Sequence, residues 1–143
     1  MMRAAKTTII VVILSLFLGL VASAEEAEAP ATPQHVIRYV ELKPTFLTNF
    51  GVSDSGHLKY VKADVTVLVH NKEAEYAARY HLPALRNSLV MLLARQDEST
   101  VSSASGRETI KAEAMAEFRE ILETEEGEGF IEDLMFTNFI VQR

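Results

Sequence analysis

The chain has no cysteine and no tryptophan. Without cysteine there can be no disulfide staple, thiolate metal site, iron–sulfur ligation or cysteine nucleophile. Positive charge is also scarce: 14 Lys and Arg stand against 20 Asp and Glu, for a net charge of −6, and no segment clusters the basic residues. A nucleic-acid binder presents a basic face to the phosphates, so that class is excluded. Catalytic signatures are missing too. His35, His57, His70 and His81 form no H-x-x-x-H pair and no H-E-x-x-H motif, which leaves no recognisable zinc site. Ser99, Ser102, Ser103 and Ser105 lie in no G-x-S-x-G context. Gly106 is a lone glycine, read as helix initiation and not as a phosphate loop. Glu73, Glu75, Glu125, Glu126 and Glu128 fall in loop and helix-surface segments, where carboxylates are solvated and not poised for acid–base work.

Apolar residues are plentiful. At 48% hydrophobic and 24% charged, the 143 residues can bury a core, and the length suits one domain with a short extension. Arg3 and Lys6 precede an uncharged stretch from Thr7 to Ala24 whose dense apolar part is Ile9–Val21. Ala22, Ser23 and Ala24 come next, and then the acids Glu25, Glu26 and Glu28. A positive start, an apolar run and an A-x-A end make an export signal, and this charge order sends the C-terminal remainder across the membrane. A span takes about 20 apolar residues, so Ile9–Val21 is short for an anchor while Thr7–Ala24 is nearly enough. Residues 1–24 are therefore expected to be a signal peptide cleaved after Ala24 or a retained anchor. Residues 25–35, rich in Ala, Glu and Pro, form an extended linker, and residues 36–143 form the exported domain.

Within that domain Val36–Leu42 is β-rich and stops at Pro44. Gly51–Gly56 has turn composition, so its flanks should form a hairpin. From Leu58 to His70 the valines and Ala63 alternate with Lys62, Asp64, Thr66 and His70, which is a half-buried strand whose polar face could be open. Lys72–Gln96 is helical, with either a kink at Pro83 or a second helix starting there. Leu82, Leu85, Leu89 and Leu92 make its stripe. Asp97–Ser105 is a polar connection. Ser105 and Glu108 have the spacing of a capping box, and Ile110, Ala114, Phe118 and Ile121 predict a helix to about Glu123, with Lys111, Glu113, Glu117 and Glu120 facing water. The apolar strips of the two helices read as core, though a groove for a partner helix would look the same. Phe130–Val141 is apolar at both parities, which predicts a strand covered on both faces or paired centrally. The expected fold is α+β: a two-layer sandwich of an antiparallel or mixed sheet under a helical layer, in the order ββααβ.

Five stretches, in order, resemble the flagellar basal-body FliL family: Tyr39–Asn49 (YVELKPTFLTN), Leu58–Val67 (LKYVKADVTV), His81–Arg95 (HLPALRNSLVMLLAR), Ser105–Glu113 (SGRETIKAE) and Asp133–Gln142 (DLMFTNFIVQ). The resemblance implies a stomatin-like (SPFH) periplasmic domain on a single-pass inner-membrane anchor. It also implies self-association into a ring or partial ring around the flagellar stator, whose subunits are MotA and MotB, in support of rotation, swimming, swarming and chemotactic motility. It implies no enzymatic activity and no cofactor. Arg86, Asn87, Arg107 and Lys111, polar residues near the helix starts of the matching stretches, are the expected contacts with neighbours or the stator. Two other functions fit an exported domain: a freely diffusing periplasmic binding module, or a small hydrolase, which would need His57, His70 and a carboxylate to converge.

Overall fold

In a computed structural model the described residues are 36–51 and 57–143, and they lie within the compact unit Pro33–Arg143. The export signal, the linker and residues 52–56 of the expected turn lie outside the described residues.

The order is β1 (Arg38–Glu41), β2 (Phe46–Asn49), β3 (Tyr60–Val69), α1 (Lys72–Tyr80), α2 (Leu82–Ala94), α3 (Glu98–Ser102), α4 (Ala104–Glu126) and β4 (Ile131–Gln142). Strand β3 is the spine of an antiparallel sheet. β1 pairs with its second half, from Glu41↔Thr66 to Arg38↔Val69, and β2 with its first half, from Asn49↔Tyr60 to Phe46↔Ala63. The two short strands therefore share one edge of β3, as a single extended run interrupted around Pro44, where the Lys43–Pro44 bond is cis. A proline has no N–H for a ladder, and that explains the interruption. The flanks of the expected turn do form an antiparallel pair, but the run before it is two strands and not one.

β4 lies along the other edge of β3, from Val69↔Ile131 to Tyr60↔Gln142. Among the described residues it pairs with nothing else, so it is an edge strand. This corrects the expectation of a central or doubly covered strand. Two register shifts explain the misleading pattern. Glu132 and Thr137 are extra residues with no partner on β3, and each such bulge flips the side-chain parity. Ile131, Leu134, Phe136, Phe139 and Val141 thereby all face the core with Val69, Val67, Val65, Ala63 and Val61.

The helices cover that apolar face. Asn71 caps α1 by accepting from the Ala74 N–H at 2.6 Å, and Ala74, Ala77 and Ala78 are buried, small enough for α1 to sit close to β1. Pro83 falls in the first turn of α2, where its missing N–H costs nothing; of the two expectations, the second helix is the one found. Leu85, Leu89, Leu92 and Leu93 are fully buried. The polar connection holds a short helix, α3, capped by Asp97. The cap of α4 is Ser103, which accepts from the Gly106 N–H at 3.0 Å, so the expected Ser105–Glu108 box is two residues late. α4 buries Ile110, Ala114, Phe118 and Leu122, while Ile121 is half-buried. It runs to Glu126 and ends at Gly127, whose φ of 82° only glycine adopts without strain. Each fully buried Leu or Phe contributes about 1.5–3 kcal/mol, which makes this stripe-on-sheet contact the main source of stability. The fold is α+β with an antiparallel sheet and a helical layer, as expected, although three strands and four helices precede the last strand.

Candidate interaction surface

The four residues expected at an interface separate into two groups. Arg86 turns inward. Its guanidinium donates to the Leu42 carbonyl at 3.0 Å and to the Pro44 carbonyl, and it lies 4.1 Å from the centre of the Phe46 ring. Desolvation pulls its pKa down from the ordinary arginine value. These contacts bind α2 to the break between β1 and β2, where the interrupted ladder leaves carbonyls in need of donors. Asn87, the next residue, is exposed.

Arg107 and Lys111 line one groove between α4 and the β4 edge, together with Glu108, Leu134, Met135, Phe136 and Phe139. They belong to a cationic row: Arg107, Lys111 and Arg119 recur at multiples of four along α4 and so share a face. Arg119 donates to the carbonyls of Ile131, at 2.8 Å, and Glu132, at 3.1 Å. The Glu132 bulge disrupts the ladder here, and the guanidinium satisfies what it leaves. Lys111 sits 2.8 Å from the Asp133 carboxylate, so it does not simply face water as expected. That hydrogen bond is the main cause of a lowered Asp133 pKa, and the Leu134 N–H, at 2.8 Å, adds to it. Arg107 reaches the Phe139 ring, with 5.9 Å from guanidinium to ring centre, and Phe139 meets Phe136 edge-on at 5.1 Å. As α4 is followed backwards β4 is followed forwards, so the helix flanks the strand along its length.

Glu117 is likewise drawn out of solvent, accepting from Ser88 and from Arg95, the latter at 2.6 Å. Spacing alone gave no reason to pick Phe136 and Phe139, because the bulge at Thr137 hides that they share a face.

On the opposite face of the sheet, Asp64 accepts from the Thr45 hydroxyl at 2.6 Å and the Asn138 amide at 3.2 Å. The Thr45 bond leads in lowering its pKa. These contacts line a cavity of about 500 Å³ at the break between β1 and β2. Lys62 on this face is exposed, whereas Thr66 is buried. His57 and His70 lie beyond opposite ends of β3, whose ten residues alone span roughly 30 Å at about 3.3 Å per residue. They do not converge, and a hydrolytic centre built on them has no basis. His70 instead meets Glu132 at 3.1 Å, and His81 meets Glu126 at 2.6 Å, which ties the α4–β4 turn to the rest of the domain.

The family model described as flagellar basal body-associated protein FliL matches residues 39–142. The chain belongs to the FliL family. That match takes in every strand and helix from Tyr39 onward, including both groups of expected contacts, and it makes the chain a member of a flagellar basal-body-associated family. No curated protein matches the chain. Among the described residues no helix is long and apolar enough to cross a membrane.

Proposed function

We propose that this FliL-family protein is a scaffold associated with the flagellar stator. In this reading residues 1–24 hold it in the inner membrane, residues 25–35 are a spacer, and the domain from 36 stands in the periplasm beside MotA and MotB. Copies assemble into a ring or partial ring, in the manner of stomatin-like domains, and support rotation, swimming, swarming and chemotactic motility. No catalysis is involved. The observation that carries the proposal is the family match over residues 39–142, and the export signal ahead of that region supports it. The charge of −8 on the part after Ala24, from 12 basic and 20 acidic side chains, fits as well, because an acidic exported part is repelled by anionic lipid and stands off the bilayer.

The A-S-A sequence at Ala22–Ala24 specifically favours a second reading, in which cleavage releases a periplasmic binding module of the same fold. Fractionation with cross-linking separates the two. The scaffold reading expects chains beginning at Met1 in washed membranes, co-isolating with MotA and MotB. Chains beginning at Glu25 in the soluble periplasmic fraction, free of stator subunits, would replace it with the second.

A further inference from the structure

We propose that the groove between α4 and the free edge of β4 binds an extended, acidic segment of a partner protein, which adds to the sheet as a further strand. The inference deepens the scaffold reading and rests on it, by naming the chemistry of the partner at one surface.

Three observations converge. First, among the described residues β4 pairs only with β3, so its far side is an open edge. Exposed edges invite another strand, and proteins normally blunt them with charge, bulges or a covering element. Here the contacts from α4 cover only the start of the strand, with the Arg119 bonds to the Ile131 and Glu132 carbonyls and the Lys111–Asp133 pair beside the Glu132 bulge; farther along, the Thr137 bulge is a second irregularity, and no such contact from α4 accompanies it. Beyond Leu134 no comparable contact from α4 reaches the backbone.

Second, Arg107 is uncompensated. Every other arginine among the described residues has a carboxylate or a carbonyl partner. Arg38 and Arg79 pair with Glu75, Arg95 with Glu117, and Arg143 with Glu98, while Arg86 and Arg119 bind carbonyls. In a chain with an excess of acids, Arg107 has only the Phe139 ring. Neighbouring Glu108 does not quench it, because consecutive helix residues do not face each other.

Third, the groove has the size and lining for side chains of a strand. Its volume of about 290 Å³ is at the bottom of the range for small-molecule sites, which makes a free metabolite a poor fit. Phe136 and Phe139 form an apolar floor on the helix-facing side of β4. An added strand turns alternate side chains to that side: one apolar residue would pack on the rings, and a carboxylate two residues along would meet Arg107. Backbone pairing then supplies affinity and the Arg107–carboxylate pair supplies selectivity.

The test uses the purified full-length protein in detergent and a fluorescein-labelled heptapeptide, Thr-Val-Thr-Glu-Thr-Val-Thr, which places valine and glutamate two residues apart on one face of a strand, read by anisotropy. The same peptide with glutamine in place of glutamate controls for charge. Two N-methylated versions of the first, with methyl groups on opposite sets of alternating amides, control for strand addition. The expected result is binding of the glutamate peptide about tenfold tighter than the glutamine peptide, as a charge-assisted bond provides. Arg107→Gln should bring the two within about twofold of each other while changing the melting temperature little, since the Arg107 side chain makes no hydrogen bond in the fold and its backbone bond to the Ser103 carbonyl is kept. One N-methylated peptide should lose binding. Equal binding of both peptides, preference retained by Arg107→Gln, unaffected binding of both methylated peptides, or no binding at all would overturn the proposal. So would a dimer that dissociates in Arg107→Gln without any peptide preference, because it would assign the edge to a second copy. None of these outcomes touches co-isolation with MotA and MotB, so the scaffold reading stands or falls separately.

Discussion

Gly106→Ala should destabilise the domain by about 3 kcal/mol and lower its melting temperature by roughly 10–20 °C. The sign is what makes the prediction informative. At the third position of a long helix, exchanging glycine for alanine ordinarily gains stability, by about 1 kcal/mol of helix propensity. At Gly106 an added Cβ would lie 2.0 Å from the Thr100 carbonyl oxygen and 2.7 Å from the Ser103 hydroxyl oxygen. The carbonyl belongs to the backbone of α3 and cannot rotate away. The hydroxyl is the cap of α4, which accepts from the Gly106 N–H. Relief of the clash would therefore displace α3, the cap, or both, and Val101 would leave the core with them. Gly106 is thus a close-approach glycine, and helix initiation belongs to Ser103. Thermal denaturation of the variant measures this directly, and a melting temperature at or above that of the parent would contradict the geometry.

Arg86→Ala should cost about 2–4 kcal/mol, while Asn87→Ala, one residue along, should stay within about 0.5 kcal/mol. The guanidinium serves two carbonyls, those of Leu42 and Pro44, and covers the Phe46 ring. Charge-assisted hydrogen bonds of this kind are worth about 1.5–3 kcal/mol, and the ring contact adds about 0.5–2 kcal/mol. Truncation also strips both carbonyls of their side-chain donor at the break between β1 and β2, where the ladder cannot replace it. Asn87 faces solvent and has no such duty. Urea denaturation of the pair provides the comparison, and equal midpoints would mean that Arg86 does not hold the strand break. The guanidinium of Arg86 is engaged within the domain, which makes Arg107 the better candidate of the four for contact with a partner.

The elements with clean periodicity were legible in the sequence. The valine alternation of β3, the leucine stripe of α2 and the Ile110–Ala114–Phe118 face of α4 gave their type and their buried side. Where the chain departs from a period, spacing misled. The bulges at Glu132 and Thr137 mix the parities of β4, and an edge strand then looks like a central one. The break at Pro44 splits one extended run into β1 and β2, where the sequence predicts a single strand before the turn. Ser103 and Ser105 are equally good caps by type, and only the approach of Thr100 to Gly106 selects the first. The candidate surface was half legible. Arg107 and Lys111 stand in a recognisable helix start, but the aromatic floor beneath them depends on the hidden bulge. That Lys111 is already paired and Arg107 is not comes from the position of Asp133, which no local pattern reveals.

In the function proposed above, this FliL-family protein acts by contact with the flagellar motor and not by chemistry. The most direct test is the rotation speed of tethered cells, a high-load assay of motor torque, in a strain lacking the chain and in the same strain carrying the whole chain again. The account predicts reduced torque and impaired swarming without the chain, both restored by its return. Full torque and normal swarming in the deletion strain would contradict it.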